Sequence, residues 1–304
     1  MGEHGASRPV PIPRTPHRVT PFRTGGPRVV ATVPGQIRPF RATGRAPRYL
    51  PCHGFGYGVR REPGEEHVLS SVGDLVVNLV ASVIAGTAVW VTGLIRRRRR
   101  DGRRRGFFGM GPGADCLIVA PRHASSPSSH SVHQGDVAAM LEVATIARDC
   151  GARVRLRVQG AHQFYESAVG AEPEFCLGGP DANTRTRAHL DTFLPGLTID
   201  PFAEAGPALT IRVGGQAYSR IPGESEFVAL AKITTDGRPV FVVCGQTAIT
   251  NRAASRYLLR THERLARRYG VHGRFCLVLH VAHPSVYGDR VVRVVGDVTR
   301  DAFA

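Results

Sequence analysis

The sequence predicts a three-layer α/β domain, with a mostly parallel sheet plus antiparallel hairpins, preceded by one transmembrane helix. Three observations predict it. Leu75 to Ile95 (LVVNLVASVIAGTAVWVTGLI) is a run of 21 uncharged, mostly apolar residues that stops at five consecutive arginines, Arg96 to Arg100. From Asp115 onward, short apolar runs alternate with stretches of helical period, as when helices cover a sheet. Turn-flanked pairs of apolar runs then mark hairpins.

At about 1.5 Å per helical residue the apolar run reaches roughly 31 Å, close to the hydrocarbon thickness of a bilayer at about 30 Å. A span is therefore expected over residues 72–95, with the lipid bilayer as its partner. Asn78 near its start, and Ser82, Thr87 and Thr92, whose hydroxyls bond back to the helix, are tolerable inside it, and Gly86 and Gly93 are common in such helices. The small residues Ser82 and Gly86 stand four apart, which leaves a homo-oligomer through helix pairing open. Trp90 fits an interfacial anchor. Eight arginines crowd residues 96–105, against Arg60 and Arg61 upstream among Glu62, Glu65 and Glu66. This bias predicts a single-pass protein of the cell membrane whose C-terminal domain is cytoplasmic. Residues 96–113 read as a basic juxtamembrane linker, with Arg96 to Arg105 placed to meet anionic lipid head groups.

Charge and composition exclude several classes. The formal net charge is +16, but residues 1–70 and 96–105 together supply +14 of it, so the remainder is not strongly basic. No nucleic-acid partner is expected, because the arginine run also lacks interleaved aromatics. Lys232 is the only lysine, which removes a phosphate-binding loop of the G-x-x-x-x-G-K-[ST] type. The six cysteines form no C-x-x-C pair, and Cys116, Cys176, Cys244 and Cys276 lie in apolar runs, where a small buried hydrophobe is expected. Residues 1–67 are rich in Pro, Arg and Gly and carry no sustained period, so they read as a disordered tail. The alternative is that translation begins at Val68.

The domain is expected over 114–304. Cys116 to Ala120 (CLIVA) reads as a strand buried on both faces. A helix from Asp136 to Cys150 follows, with Val137, Met140, Leu141, Ala144 and Ala147 on one face, closed by Gly151. RVRLRV, Arg153 to Val158, alternates strictly and suits an edge strand. Phe175 to Leu177 is a third strand, leading through GGPDANT into a helix that ends at Leu194. Leu209 to Val213 with Gln216 to Ser219, and Phe227 to Ile233 with Val240 to Cys244, read as hairpins. A long helix, Asn251 to Tyr269, and strands Phe275 to Val281 and Val291 to Val298 complete the domain.

In such sheets ligands lodge beyond the carboxyl ends of the strands. Three loops meet that description, starting at Arg122, Gly178 and Gly245. In the second, Gly178 and Gly179 allow close backbone approach, Asp181 or Asn183 caps the helix, the N–H groups of its first turn at Thr184 favour an anion, and Arg185 offers a bidentate phosphate contact. In the third, Gly245, Gln246, Thr247, Thr250 and Asn251 form a dense set of uncharged donors and acceptors, suited to a ribose, an amide or a base edge. Capping and turn formation account for the same residues in both loops. His123, His130 and His133 lack acidic neighbours apart from Asp136, so no metal is expected, and no cofactor is implied. Glu224 and Glu226 read as a solvated strand face.

The segments VLSSVGDLVVNLVASVIAGTAVW, EFCLGGPDANTRT and VFVVCGQTAITNRAASRYL resemble a group of actinobacterial single-span membrane proteins with a cytoplasmic α/β domain and no assigned activity. The resemblance covers about residues 68–304, rests on the GGPxxN and GQTxxTN loops, and implies no catalytic residues. The glycine loop is also loosely similar to nucleotide-binding, Rossmann-like sensor domains, although the G-x-G-x-x-G fingerprint is absent. The expectation is a membrane-tethered binding domain for a nucleotide or small phosphorylated ligand, acting as sensor or effector. An enzyme acting on a nucleotide-like substrate at the same loops, and a scaffold recruiting protein partners, are the alternatives. The lack of an evident acid, base or metal set favours binding over catalysis.

Overall fold

The computed structural model describes residues 66–304, apart from Ala124, Pro127, Ser129, His130, residues 159–167 and Asp236. The expected tail, as far as residue 65, lies outside the described residues. The first element, α1 (Glu66–Phe108), is one helix of 43 residues. It is long and apolar enough to cross a membrane, and none of its apolar window is buried by the rest of the described chain. Ser82 and Thr87 donate their hydroxyls to the carbonyls of Asn78 and Val83 at 2.8 and 2.7 Å, so the span carries its own hydrogen bonds.

The expected linker is helix. Instead of ending at Ile95, α1 runs through the arginines, which are good helix formers, and its last turn enters the domain core. Phe107 and Phe108 have no solvent exposure. Phe107 stacks on Phe275, with ring centroids 6.3 Å apart, and Phe108 sits 5.3 Å from Phe241. Gly106 permits the approach, because a β-carbon there would stand 2.8 Å from Val271 Cγ1. Gly109, at φ 65°, then stops the helix in a Schellman turn, with the Met110 N–H donating to the Arg105 carbonyl at 2.9 Å.

After α1 come β1 (Asp115–Ala120), α2 (Gln134–Asp149), β2 (Arg153–Val158), β3 (Glu174–Leu177), α3 (Thr184–Phe193), β4 (Leu197–Ile199) and α4 (Phe202–Ala205). The second half holds β5 (Thr210–Val213), β6 (Gln216–Ser219), β7 (Ser225–Ile233), β8 (Val240–Gly245), α5 (Ala248–Tyr269), β9 (Phe275–Ala282), α6 (Pro284–Tyr287), β10 (Val292–Asp297) and α7 (Thr299–Ala302). Seven strands form the main sheet in the order β10-β9-β7-β8-β3-β1-β2. β8, β3, β1 and β2 are mutually parallel, and β7, β9 and β10 extend the sheet antiparallel to their neighbours. β2 lies at the edge, as its alternating RVRLRV pattern predicts. β4, which the sequence reading did not include, pairs with β5 and makes a separate three-stranded sheet, β4-β5-β6.

Alternation along each strand divides the core in two. Ile118, Phe175 and Phe241 point to the face covered by α2, α5 and the end of α1. Leu117, Cys176 and Val242 point to the other, covered by α3, the small sheet and α7. The fold is thus a three-layer α/β arrangement with a mixed sheet, preceded by an apolar helix. α5 begins three residues before the expected Asn251. Thr247 is its N-cap, and the Thr247 and Thr250 hydroxyls each accept the other's backbone N–H.

Candidate functional site

The three loops do converge at the carboxyl edge of the parallel strands, and the amides at their ends hold them together. Asn183, fully buried, caps α3 by accepting from the N–H groups of Arg185 and Thr186 at 3.0 and 3.2 Å. Its amide donates to the carbonyls of Val119 and Leu177 at 3.2 and 2.8 Å, joining the ends of β1 and β3. Asn251 accepts from the Gly245 N–H at 2.9 Å and donates to Asp136 Oδ1 at 2.8 Å, tying α5 to α2. Burial pushes the Asp136 carboxyl up, with the Asn251 amide and the nearby His133 and His123 opposing it. Gln246 accepts from the Phe227 N–H at 2.8 Å and donates to the carbonyls of Leu209 and Tyr218 at 2.7 and 2.8 Å. These amides are engaged at both ends inside the protein, and each side chain is at most 5 % exposed.

What stands at the surface of this edge is different. Arg122 and Thr184 are exposed, and Gly179, Asp181 and Thr247 are half-buried. Gly178 is buried at φ 90°, with no room for a side chain beside Pro121, whereas a β-carbon on Gly179 would meet only the Gly245 carbonyl oxygen, at 3.8 Å. Asp181 accepts from Arg187 at 2.6 Å and from the Phe202 N–H at 2.7 Å. The Arg122 N–H donates to the Ala182 carbonyl at 2.9 Å, linking the first two loops. The starts of α2 and α5 are closed on each other, with Gly135 against Ala248.

A second polar cluster lies beneath α3. Glu174 and Cys176 leave β3 on the same face, and Arg185 and His189, four apart on α3, descend onto them. Glu174 Oε1 accepts from Arg185 Nε, His189 Nε2 and Cys176 Sγ, each at 2.9 Å, while Oε2 accepts from Arg185 Nη2 at 2.8 Å. Glu174, Cys176 and His189 are at most 1 % exposed. Burial raises the Glu174 carboxyl, but the hydrogen bonds from Arg185 and His189 outweigh it and hold it at about 2. Burial, then the neighbouring carboxylate, push the Cys176 thiol well up. The guanidinium of Arg185, expected at a phosphate, is thus paired with Glu174.

Glu174, Cys176 and His189 offer one oxygen, one sulfur and one nitrogen within 4.8 Å of one another, a donor set of the kind zinc uses. A cation there would have to take both the thiol proton and the place of Arg185. As it stands, the cluster is a proton-filled hydrogen-bond network. Sequence reading passed over Glu174 and His189. The available signal was the acidic residue opening a buried strand, EFCL, two before a cysteine. Glu226 corrects an expectation: it is 2 % exposed, pairs with Arg220 at 2.9 Å and accepts from the Thr247 hydroxyl at 2.6 Å. His123 and His133 lie with ring centroids 5.3 Å apart, and His133 Nδ1 caps α2 by accepting from the Gly135 N–H.

The chain thus combines an apolar membrane-type helix with an α/β domain whose loops meet at one edge of the sheet, and it matches no protein-family model, curated protein or solved structure.

Proposed function

We propose that the chain is a membrane-tethered, cytoplasmic binding domain for a nucleotide or other small phosphorylated ligand, acting as a sensor or effector. The observation that carries this reading is the switch between β1 and β3. α2 leaves β1 for one face of the sheet and α3 leaves β3 for the other, and such a divergence is where α/β sheets open a crevice for ligands. Gly178, Gly179, Asp181 and Thr184 form one wall of it, and Arg122 stands at the end of β1 as the exposed cation. Thr247 stands on the neighbouring loop, with Gly245 of β8 and Thr250 of α5 buried behind it, and Asn183, Gln246 and Asn251 keep all three loops in place. Arg185 acts through Glu174 by fixing the first turn of α3. The arginines that follow the apolar span support the cytoplasmic orientation. Binding is favoured over turnover because the carboxylates described near these loops are already engaged, Glu174 and Glu226 by arginines, Asp181 by Arg187 and the Phe202 N–H, and Asp136 by the Asn251 amide.

The test is a thermal-shift screen of the full chain in mild detergent against nucleotides, cyclic nucleotides, NAD, ADP-ribose and phosphosugars, repeated with Arg122→Ala. A ligand at 100 times its dissociation constant stabilises the fold by about 2.7 kcal/mol. The reading requires at least one compound to do so and Arg122→Ala to weaken the shift. A flat screen removes the binding reading and leaves the scaffold one, whereas hits indifferent to Arg122 put the ligand away from these loops and overturn the site.

A further inference from the structure

Because α1 stays helical beyond the span, its arginines are fixed instead of splayed. Arg96, Arg99, Arg100, Arg103 and Arg104 recur at the three- and four-residue spacing that puts them on one side of a helix. That side faces α5. Between the two helices lies a cleft of about 700 Å³, lined by six arginines of α1 from Arg96 to Arg104 and by Arg267 of α5, against a single acidic residue, Glu263. Glu263 pairs with Arg100 at 3.1 Å, and Arg104 reaches Asp149 at 2.6 Å, outside the cleft lining. Arg104 Nε is buried without a hydrogen-bond partner. Val271 also lines the cleft, and its carbonyl accepts from Lys232 at 2.6 Å.

So many guanidinium groups in one concave site repel each other unless anions fill the space between them. One phosphate accepts from about two or three guanidinium groups, and with Arg100 on Glu263 and Arg104 on Asp149 the five other arginines of the lining call for two. The place of the cleft along α1 decides the source. It opens at Arg96, the residue after the last apolar one, and the polar layer of each leaflet is roughly 5–8 Å deep. The first turn and a half of the arginine run therefore stands among the lipid head groups. We propose that this cleft is a binding site for the head group of an anionic membrane lipid carrying two phosphates. The site is separate from the one at the carboxyl edge of the sheet, and neither reading depends on the other.

The test uses the full chain in nanodiscs of phosphatidylcholine containing either cardiolipin, as the diphosphate probe, or phosphatidylglycerol at the same phosphate content. Lipid retained through delipidation is counted by native mass spectrometry. Three variants are compared: Arg99→Ala and Arg267→Ala in the cleft, and Arg98→Ala, which removes the same charge from the same run but lies outside the lining. Cardiolipin should be retained over phosphatidylglycerol. Each cleft variant should lower its retention by more than about tenfold, the loss of a charge-assisted hydrogen bond, against at most about fivefold for Arg98→Ala, which loses only a charge at the membrane surface. The Arg267 side chain is 67 % exposed, so its loss leaves the fold intact, and Arg267→Lys should restore part of the retention. Equal losses in all three variants, or no preference for the diphosphate lipid, would overturn the proposal in favour of diffuse attraction. It also fails if tripolyphosphate binds the detergent-solubilised chain and displaces cardiolipin, which would make the cleft a site for a soluble anion.

Discussion

Phe107→Ala tests whether the membrane helix is part of the domain core. The ring is fully buried, 5.0 Å from Phe108, 5.8 Å from Phe241 and 6.3 Å from Phe275, and the Lys232 ammonium stands 4.4 Å over it. Truncating a core phenylalanine costs about 3–5 kcal/mol, and the surrounding rings and strands leave little room for collapse, which points to the upper part of that range. For a domain of roughly 200 residues each kcal/mol moves Tm by about 2–4 °C, so the melt should fall by about 10–15 °C. The assay is a thermal melt of the full chain in mild detergent, followed by circular dichroism and by thiol labelling, since the five described cysteines are all buried. Ile95→Ala, on the same helix but 46 % exposed, is the control and should leave the domain melt unchanged. A fragment starting at Gly111 should fail to fold where one starting at Asp101 succeeds. A Phe107→Ala melt within about 3 °C of the parent, well under one core-truncation equivalent, would refute the reasoning.

Three more outcomes are expected from buried polar groups. Glu174→Gln leaves Arg185 without its counter-charge and should destabilise by about 3–5 kcal/mol in denaturant titration, with Arg185→Met in the same chain recovering part of it. Because the Glu174 carboxyl falls from an ordinary 4.5 to about 2, its contribution is complete above pH 4.5 and lost as pH drops toward 2. Melts between those limits should show that slope in the parent and a flatter one in Glu174→Gln. Lys232 runs the opposite way: burial lowers it from 10.5 to about 8, so at this site the unfolded chain binds more protons between those values and the lysine adds stability as pH rises, against the buried thiols, which burial raises above 9.0 and which pull stability down over the same range. Lys232→Met should therefore lose stability with pH more steeply than the parent, read as Tm at several pH values from 8 to 10. Asn183→Ala removes a helix cap and orphans two strand-end carbonyls, and should cost about 3 kcal/mol by denaturant titration.

Much of the domain was legible because its central strands are buried on both faces, and continuous apolar runs such as CLIVA and VFVVC need no partner to be recognised. The span was legible for a similar reason, as a long uncharged window bounded by arginine. The end of α1 was not. Phe107 and Phe108 follow eight arginines and two glycines, and their helical state depends on a socket formed by Phe241, Phe275 and Val271, far along the chain. The site shows the same division. Thr247 and Thr250 could be read as a cap, because a capping box is local. That Asn251 reaches back to Asp136, or that Arg185 turns onto Glu174, is decided by which strands stand side by side, and the sequence alone does not order β8 next to β3. Glu226 misled because alternation placed it beside Glu224, while Arg220 and Thr247 arrive from other elements.

The uninterrupted passage of α1 from the lipid into the core has a mechanical consequence. Ile95 and Phe108 are separated by about 20 Å of helix at 1.5 Å per residue, with no swivel between them. The domain is therefore bolted to a short mast, and its attitude toward the bilayer surface is set by the lean of that mast. A helix adjusts its lean when the hydrocarbon around it thins or thickens. A change in membrane thickness should then roll the whole domain, pressing the α5 side toward the head groups or lifting it away, as a lever converts a small angle into a displacement.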